Sequence, residues 1–282
     1  MKLVASLLIV PLSALPGSAP APRPAAPAVH AAGIVLPLFA LVAPADSEFR
    51  WTGRLAAGKE IEIKGVNGDI RAVAAAGREV EVSAVKRWRR SDPSEVRIEV
   101  VERNDGVTIC AVYPSESSRR LNSCESGSGG RMSTRDNDVV VDFVVRVPAG
   151  VSFAGRTVNG DVIADGLASD VEAVSVNGGV SVATSGTVQA ETVNGSITAT
   201  MGRADWQGAA SFETVNGGIT LTLPAGLDAD VEAETVNGDI SSDFPLTIKG
   251  RFGPRRLNGT IGKGGRELAL KTVNGSIRLK RS

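Results

Sequence analysis

Acidic side chains give this chain its main opportunity for chemistry. The tightest acidic group is Asp136, Asp138 and Asp142, in which Asp138 and Asp142 share the parity of one predicted strand. Carboxylates grouped in this way could hold a calcium ion or act as an acid–base pair on a polysaccharide. The alternative is a solvated strand start. The chain has one histidine, His30, which lies in a segment that we expect to be removed, so imidazole-based catalysis is not expected.

A dense basic run is the second chemically distinctive group. It consists of Lys86, Arg87, Trp88, Arg89 and Arg90. An aromatic ring among cations can face a polyanion or a membrane surface. The alternative is a solvated strand end with the tryptophan packed against the body of the protein. Over the whole chain, 31 basic residues balance 31 acidic ones, so no nucleic-acid partner is predicted.

The chain has two cysteines, Cys110 and Cys124. An even number of cysteines in an exported protein favours a disulfide. This disulfide would close a loop of about 15 residues and stabilise the fold by roughly 3 kcal/mol. The alternative is a buried Cys110 and a free Cys124. Two cysteines without a histidine do not predict a metal site. No catalytic residue and no cofactor is predicted.

A repeated phrase, Thr-Val-Asn-Gly-x-Ile, indicates which secondary-structure elements position these residues. Complete copies occupy 192–197, 214–219, 235–240 and 272–277, and near copies occupy 157–162, 175–180 and 256–261. An outlying copy lies far upstream at 65–70. From Asn159 onward, the Asn-Gly pairs recur at steps of 18, 17, 22, 21, 21 and 16 residues. Self-similarity near this period indicates a repeat architecture.

Each repeat has the pattern of a half-buried β-strand that leads into a corner. Val231, Ala233 and Thr235 alternate with Glu232 and Glu234, so the apolar residues share one face. Glycine allows a positive φ, and asparagine tolerates the left-handed region better than most residues. The sequence therefore predicts an equivalent bend at every Asn-Gly pair.

Two all-β architectures fit these repeats. Asn-Gly between alternating residues is a strong hairpin signal and would give an antiparallel β-meander. In a parallel β-solenoid, identical residues stack on one another and asparagine amides form a hydrogen-bonded ladder, which explains the uniform phrase better. We predict the solenoid, with about seven coils between residues 157 and 277. The predicted ladder consists of Asn159, Asn177, Asn194, Asn216, Asn237, Asn258 and Asn274.

The repeated phrase resembles that of a family of exported bacterial candidate-adhesin β-repeat proteins, a domain of unknown function. The upstream segments EIKGVNGDIRA (62–72) and VTICAVYP (107–114) are similar to the same family. The resemblance extends from about residue 49 to the C-terminus. It implies a right-handed parallel β-solenoid in the cell envelope, and it implies no established catalytic residues.

The N-terminal part of the chain has a different composition from the repeats. Two apolar runs, 3–15 and 34–42, precede an Ala-x-Ala site at 43–45, which predicts a secretory leader over residues 1–45. Earlier cleavage near Ala19 and an N-terminal membrane anchor are the alternatives. Residues 46–150 are predicted to form irregular first coils or a cap with the disulfide loop, and residues 151–282 the regular repeats. No transmembrane segment is expected in the mature chain.

Three classes of function remain open from the sequence. The first is a non-enzymatic exported protein in the periplasm or at the cell surface, an adhesin or scaffold that presents a repeated β-surface to an envelope polymer or surface protein. The second is a sensing or regulatory module of envelope stress. The third is a polysaccharide-active β-helix enzyme. The acidic residues that follow the Asn-Gly pairs are separated by neutral ones, which favours a solvated surface over a catalytic cluster.

Overall fold

The computed structural model describes residues 47–115, 117, 120–203, 206, 208–248 and 255–282. The predicted leader lies outside these residues. Within the described chain, alternation of buried and exposed residues produces strands, which we number in chain order: β1 (Glu48–Gly53), β2 (Glu60–Lys64), β3 (Ile70–Ala74), β4 (Val80–Arg87), β5 (Arg97–Glu102), β6 (Gly106–Val112), β7 (Val140–Val147), β8 (Ser152–Arg156), β9 (Val162–Leu167), β10 (Val171–Asn177), β11 (Val180–Thr184), β12 (Val188–Asn194), β13 (Ile197–Met201), β14 (Ala210–Asn216), β15 (Ile219–Leu223), β16 (Ala229–Asn237), β17 (Ile240–Ser242), β18 (Leu246–Ile248), β19 (Arg256–Ile261), β20 (Glu267–Asn274) and β21 (Ile277–Arg281).

The strands form two large sheets. Sheet A has the order β1-β4-β7-β3-β9-β11-β13-β15-β21-β17, and sheet B has the order β18-β19-β16-β20-β14-β12-β10-β8-β2-β6-β5. Successive repeats pair in parallel, with Ser175 opposite Thr192 and Thr192 opposite Thr214. Each coil contributes one strand to each sheet, and every coil that contains an Asn-Gly pair bends there. The predicted parallel β-solenoid is confirmed, and the antiparallel meander is wrong for these repeats.

The order of the coils in the stack differs from their order in the chain. From one end to the other, the coils are β6–β7, β2–β3, β8–β9, β10–β11, β12–β13, β14–β15, β20–β21 and β16–β17. The upstream coil β2–β3 is therefore regular and lies inside the stack. The last coil in the chain, β20–β21, lies between two coils that precede it.

Antiparallel strands cover both sheets at one end of the stack and sheet B at the other. At one end, β5 pairs with β6, while β4 pairs with β7 and β1 pairs with β4. At the other end, β19 pairs with β16, and β18 pairs with β19. One 3-10 helix, Pro93–Glu95, lies between β4 and β5. Terminal strands of this kind occupy backbone groups that would otherwise offer an edge to other chains.

The core is a narrow apolar layer between the two sheets. The inward positions are filled by valine, isoleucine, alanine and leucine, and the isoleucine of the phrase is fully buried at Ile197, Ile219 and Ile277. Small β-branched residues fit a thin interior of paired sheets. The described residues contain no helix with the length and apolar character needed to cross a bilayer.

The disulfide predicted between Cys110 and Cys124 is present, with a Cα–Cα distance of 5.7 Å. It ties the loop between β6 and β7 to the outer face of sheet B. Val101, Val112 and Met132 pack around it as a small apolar cluster that is separate from the main core.

Candidate functional site

The corners of the coils form one continuous exposed edge, which we call the ladder edge. It consists of seven asparagines, the residue that follows each Asn-Gly pair, and the valine before each asparagine except Val66, which is buried. Every asparagine after the first donates its Nδ2 group to Oδ1 of the neighbour on the β6–β7 side, at 2.8–2.9 Å. In stack order, the ladder comprises Asn67, Asn159, Asn177, Asn194, Asn216, Asn274 and Asn237. Each amide retains one N–H for other partners.

The predicted ladder needs one correction, because Asn258 does not belong to it. Asn258 lies within β19, which pairs antiparallel with β16, and its Oδ1 is buried without a hydrogen-bond partner among the described residues. Its phrase has Arg256 and Leu257 in place of threonine and valine, so it lacks a hydroxyl for the neighbouring coil. Asn67 from the upstream copy is instead the first member of the ladder, at the end opposite Asn237. In the sequence, that copy is an outlier far upstream of the others.

The threonine of the phrase holds neighbouring coils together. Thr192 Oγ1 donates to the carbonyl oxygen of Gly178 at 2.8 Å, and Thr214 Oγ1 donates to Gly195 at 2.9 Å. The same bond recurs from Thr157, Ser175, Thr235 and Thr272. These hydroxyls are buried, so the bonds satisfy polar groups that water does not reach.

The glycine of the phrase is required by close packing of backbones. A Cβ atom on Gly178 would lie 2.0 Å from the carbonyl oxygen of Gly160, and one on Gly195 would lie 2.0 Å from that of Gly178. In this glycine column only Gly68 and Gly160 have positive φ, at 125° and 156°. The expected requirement for a left-handed backbone at every corner is therefore wrong. The corner needs glycine chiefly because a side chain would collide with the next coil.

The valine of the phrase forms an apolar column on the ladder edge. Five of these valines are between 36% and 50% exposed: Val176, Val193, Val215, Val236 and Val273. They lie on the outer face of sheet B, one residue before the asparagine. This column was not predicted, although strand alternation places the valine on the face opposite the buried threonine.

The basic run lies at one end of the ladder edge, beside the acidic group. Arg87 Nε donates to Asp142 at 2.7 Å, and the backbone N–H groups of Arg90 and Ser91 donate to Asp138 at 3.1 and 2.9 Å. The Ser91 N–H lowers the pKa of the Asp138 carboxyl below its usual value. Asn67 Nδ2 lies 3.5 Å from the carbonyl oxygen of Val139, so the ladder ends at this acidic segment.

The remaining members of these two groups are placed as follows. Lys86 Nζ donates to the carbonyl oxygen of Pro93 at 2.9 Å, and Trp88 is about one third exposed. Arg89 is exposed. Asp136 has a positive φ of 53°. It is not part of a metal-binding group, since no set of three acidic, cysteine or histidine residues that could hold an ion occurs in the described part of the chain.

A buried charge network lies beneath the disulfide loop. Lys64 Nζ donates to the carbonyl oxygens of Glu125, Gly127 and Gly129 at 2.8, 2.9 and 2.7 Å. Glu62, which is 1% exposed, accepts the Gly127 N–H at 2.9 Å. Burial lowers the pKa of the Lys64 ammonium group. The network fixes the loop to sheet B and was not predicted from the sequence, because each of these bonds has a backbone atom of the loop as one partner.

Comparisons with known proteins identify the family of this chain. The model of the family described as Toastrack DUF4097 matches residues 59–280. No curated protein sequence matches the chain significantly. A solved candidate cell-adhesion protein from Clostridium sporogenes is 11% identical, with 84% of this chain and 100% of that chain covered and a TM-score of 0.43. A candidate adhesin from Bacteroides fragilis is 13% identical, with 85% and 99% covered and a TM-score of 0.32. The family model spans well over half of the sequence, so the chain belongs to the Toastrack DUF4097 family.

Proposed function

We propose that the protein is an exported, non-catalytic protein of the periplasm or cell surface that binds an envelope polymer or surface protein through its ladder edge. The observation that carries this proposal is a repeated pair of side chains: an asparagine amide beside an exposed valine recurs from coil to coil along a continuous edge. Six strand spacings separate the first and last asparagines, a distance of roughly 29 Å. A partner with a repeating surface would find equivalent contacts along this length.

Many weak contacts on a stiff edge can produce firm binding. Once one contact forms, the others become intramolecular and act at a high effective concentration. Hydrogen bonds between coils and the close glycine packing hold the spacing of the edge. This arrangement supports a role as an adhesin or scaffold.

The arrangement of the acidic group supports binding over catalysis. Asp138 accepts backbone N–H groups from Arg90 and Ser91, and Asp142 accepts the Asp69 N–H at 3.1 Å as well as Arg87. Carboxylates engaged in this way position a turn. A general base instead needs a free oxygen within reach of a substrate proton.

The basic run supports a polyanionic component in the partner. Its Arg89 and Arg90 side chains extend into solvent beside the partly exposed Trp88, at the end of the ladder edge. Cations beside an aromatic ring attract acidic polymers, and salt weakens this attraction. The ladder edge would bind the repeating units of a polymer, and the basic run would bind its negative charges.

Retention of the purified protein on isolated envelope fractions tests the proposal. We expect retention that weakens with salt and on the triple change Arg87→Glu, Arg89→Glu and Arg90→Glu. The matched control reverses three cations of β21, in the coil next to the far end of the stack: Arg278, Lys280 and Arg281. Equal losses in both variants would contradict a specific role for the basic run.

The same preparation should be screened for cleavage of acidic and neutral polysaccharides, with and without calcium. Cleavage that disappears on mutating Asp136, Asp138 or Asp142 would overturn the binding proposal in favour of an enzyme. Absence of both retention and cleavage would favour the stress-sensing module.

A further inference from the structure

The residues that follow the Asn-Gly pairs form a column in which side chains cap backbone N–H groups of the next coil. In stack order, the column reads Asp69, Asp161, Gly179, Ser196, Gly218, Ser276 and Asp239. Asp69 Oδ1 accepts the Asp161 N–H at 2.8 Å, and Asp161 Oδ1 accepts the Gly179 N–H at 2.7 Å. Ser196 Oγ accepts the Gly218 N–H at 3.2 Å, and Ser276 Oγ accepts the Asp239 N–H at 3.3 Å.

The column is interrupted at two places, because Gly179 and Gly218 have no side chain to continue it. The backbone N–H groups of Ser196 and Ser276 consequently have no hydrogen-bond partner within the described residues. We call each such position, an open N–H beside a glycine that has no side chain to cap it, a notch. The two notches are two strand spacings apart, or about 9.6 Å.

The fold does not require glycine at the first notch. A Cβ atom on Gly179 would lie 3.5 Å from its nearest neighbour, which is ordinary contact, and the φ of this residue is outside the left-handed region. Gly218 is tighter, with 3.1 Å to the carbonyl oxygen of Ser276. By contrast, Gly178 would collide at 2.0 Å. The second glycine of each Asn-Gly-Gly segment therefore leaves an open donor that a serine or aspartate would have closed.

The surroundings of the notches restrict the chemistry of a ligand. Val193, Val215 and Val273 give an apolar strip beside them, and the ladder amides add further N–H donors. The acids of the column occur only near its ends. Glu191 and Glu213 are exposed on the adjacent face of sheet B, which disfavours an anionic group at this position. A neutral acceptor oxygen fits better than a carboxylate.

We propose that the notches at Gly179 and Gly218 bind acetamido carbonyl oxygens on alternate sugars of an extended β-linked glycan that lies along the ladder edge. In such a glycan, successive sugars face opposite ways, so groups on one side repeat every second sugar, close to two strand spacings. The C–H faces of the sugars pack on the valine strip. This inference rests on the proposed function and assigns its polymer class.

The test uses the full chain and soluble chitin oligosaccharides as the probe, with amylose oligosaccharides as the α-linked comparison. We expect binding of the chitin oligosaccharides, with amide NMR shifts at Ser196 and Ser276. Gly179→Ser and Gly218→Ser should each weaken binding by up to about tenfold, since each closes one donor. Gly226→Ser, at a glycine with no neighbour within 4 Å of an added Cβ, is the matched control.

A structural defect would be distinguished by the unfolding midpoint. Gly179→Ser should leave the midpoint unchanged or raise it, because its Oγ can accept the Ser196 N–H. Full binding by both serine variants, or equal binding of amylose, would overturn the proposal. If the wild type binds no chitin oligosaccharide but is retained on envelope fractions, this inference fails and the proposed function stands. If neither occurs, both fail.

Discussion

At the scale of single residues, each position of the repeated phrase makes a different contact. In the coil of Asn194, the Thr192 hydroxyl donates a hydrogen bond to the backbone of the neighbouring coil, Val193 is exposed, and Ile197 is fully buried. Asn194 donates to Asn177, and Gly195 packs against a carbonyl oxygen. The phrase is uniform because every position must match the same position in two neighbouring coils.

The asparagine ladder can be tested by comparing two asparagines of the same phrase. Asn216→Ala should lower the free energy of unfolding by about 1 kcal/mol, because it leaves the Asn194 Oδ1 and Asn274 Nδ2 without their ladder partners. Asn258→Ala should be neutral or stabilising, because it removes a buried oxygen that has no hydrogen-bond partner in the described part of the chain. Denaturant unfolding measures both changes. Equal losses would contradict the ladder.

The sequence predicted the ladder but not its full membership or the reason for its glycines. Seven copies of a phrase look alike in sequence, so Asn258 could not be separated from the others until its antiparallel strand was seen. The upstream Asn67 is separated from Asn159 by 92 residues, yet the two side chains are hydrogen-bonded. Long-range neighbours of this kind depend on the path of the chain between them, which local pattern does not specify.

At the scale of elements, the strands of sheet B come together closely at the corner. Gly195→Ala should strongly destabilise the stack, by about 3 kcal/mol or more, because the added Cβ would lie 2.0 Å from the Gly178 carbonyl oxygen. Gly226→Ala is the control, since it meets no atom within 4 Å. Thermal unfolding monitored by circular dichroism would measure the difference. A tolerated Gly195→Ala change would contradict close backbone packing as the reason for the glycine column.

The disulfide loop is an element held by one strand residue as well as by its covalent bond. Lys64→Met should cost about 2 kcal/mol and increase hydrogen exchange in the loop, because three carbonyl oxygens lose a charged donor. Lys59→Met is the control, since Lys59 Nζ makes one exposed bond, to Asn104 at 2.6 Å. Exchange rates that stay equal in both variants would show that the disulfide alone orders the loop.

At the scale of the whole molecule, the parallel stack could be predicted and the order of its coils could not. Identical phrases can stack in any order, because each coil presents the same hydroxyl, amide and glycine to its neighbours. The structure places β20–β21 between β14–β15 and β16–β17. Segments outside the regular repeats decide this order. One of them is β19, which pairs antiparallel with β16 and so covers the coil that precedes β19 in the chain.

This order makes a prediction that a stack in chain order would reverse. Ile277 of β21 is fully buried with paired strands on both sides, whereas Ile240 of β17 is half-buried and pairs with β21 alone among the described residues. Ile277→Ala should therefore cost about 3 kcal/mol, and Ile240→Ala about 1 kcal/mol, since a cavity costs most where neighbours cannot collapse into it. Denaturant unfolding of the two variants measures the difference. A larger loss for Ile240→Ala would place the Asn237 coil inside the stack and the Asn274 coil at its end, as simple succession along the chain requires.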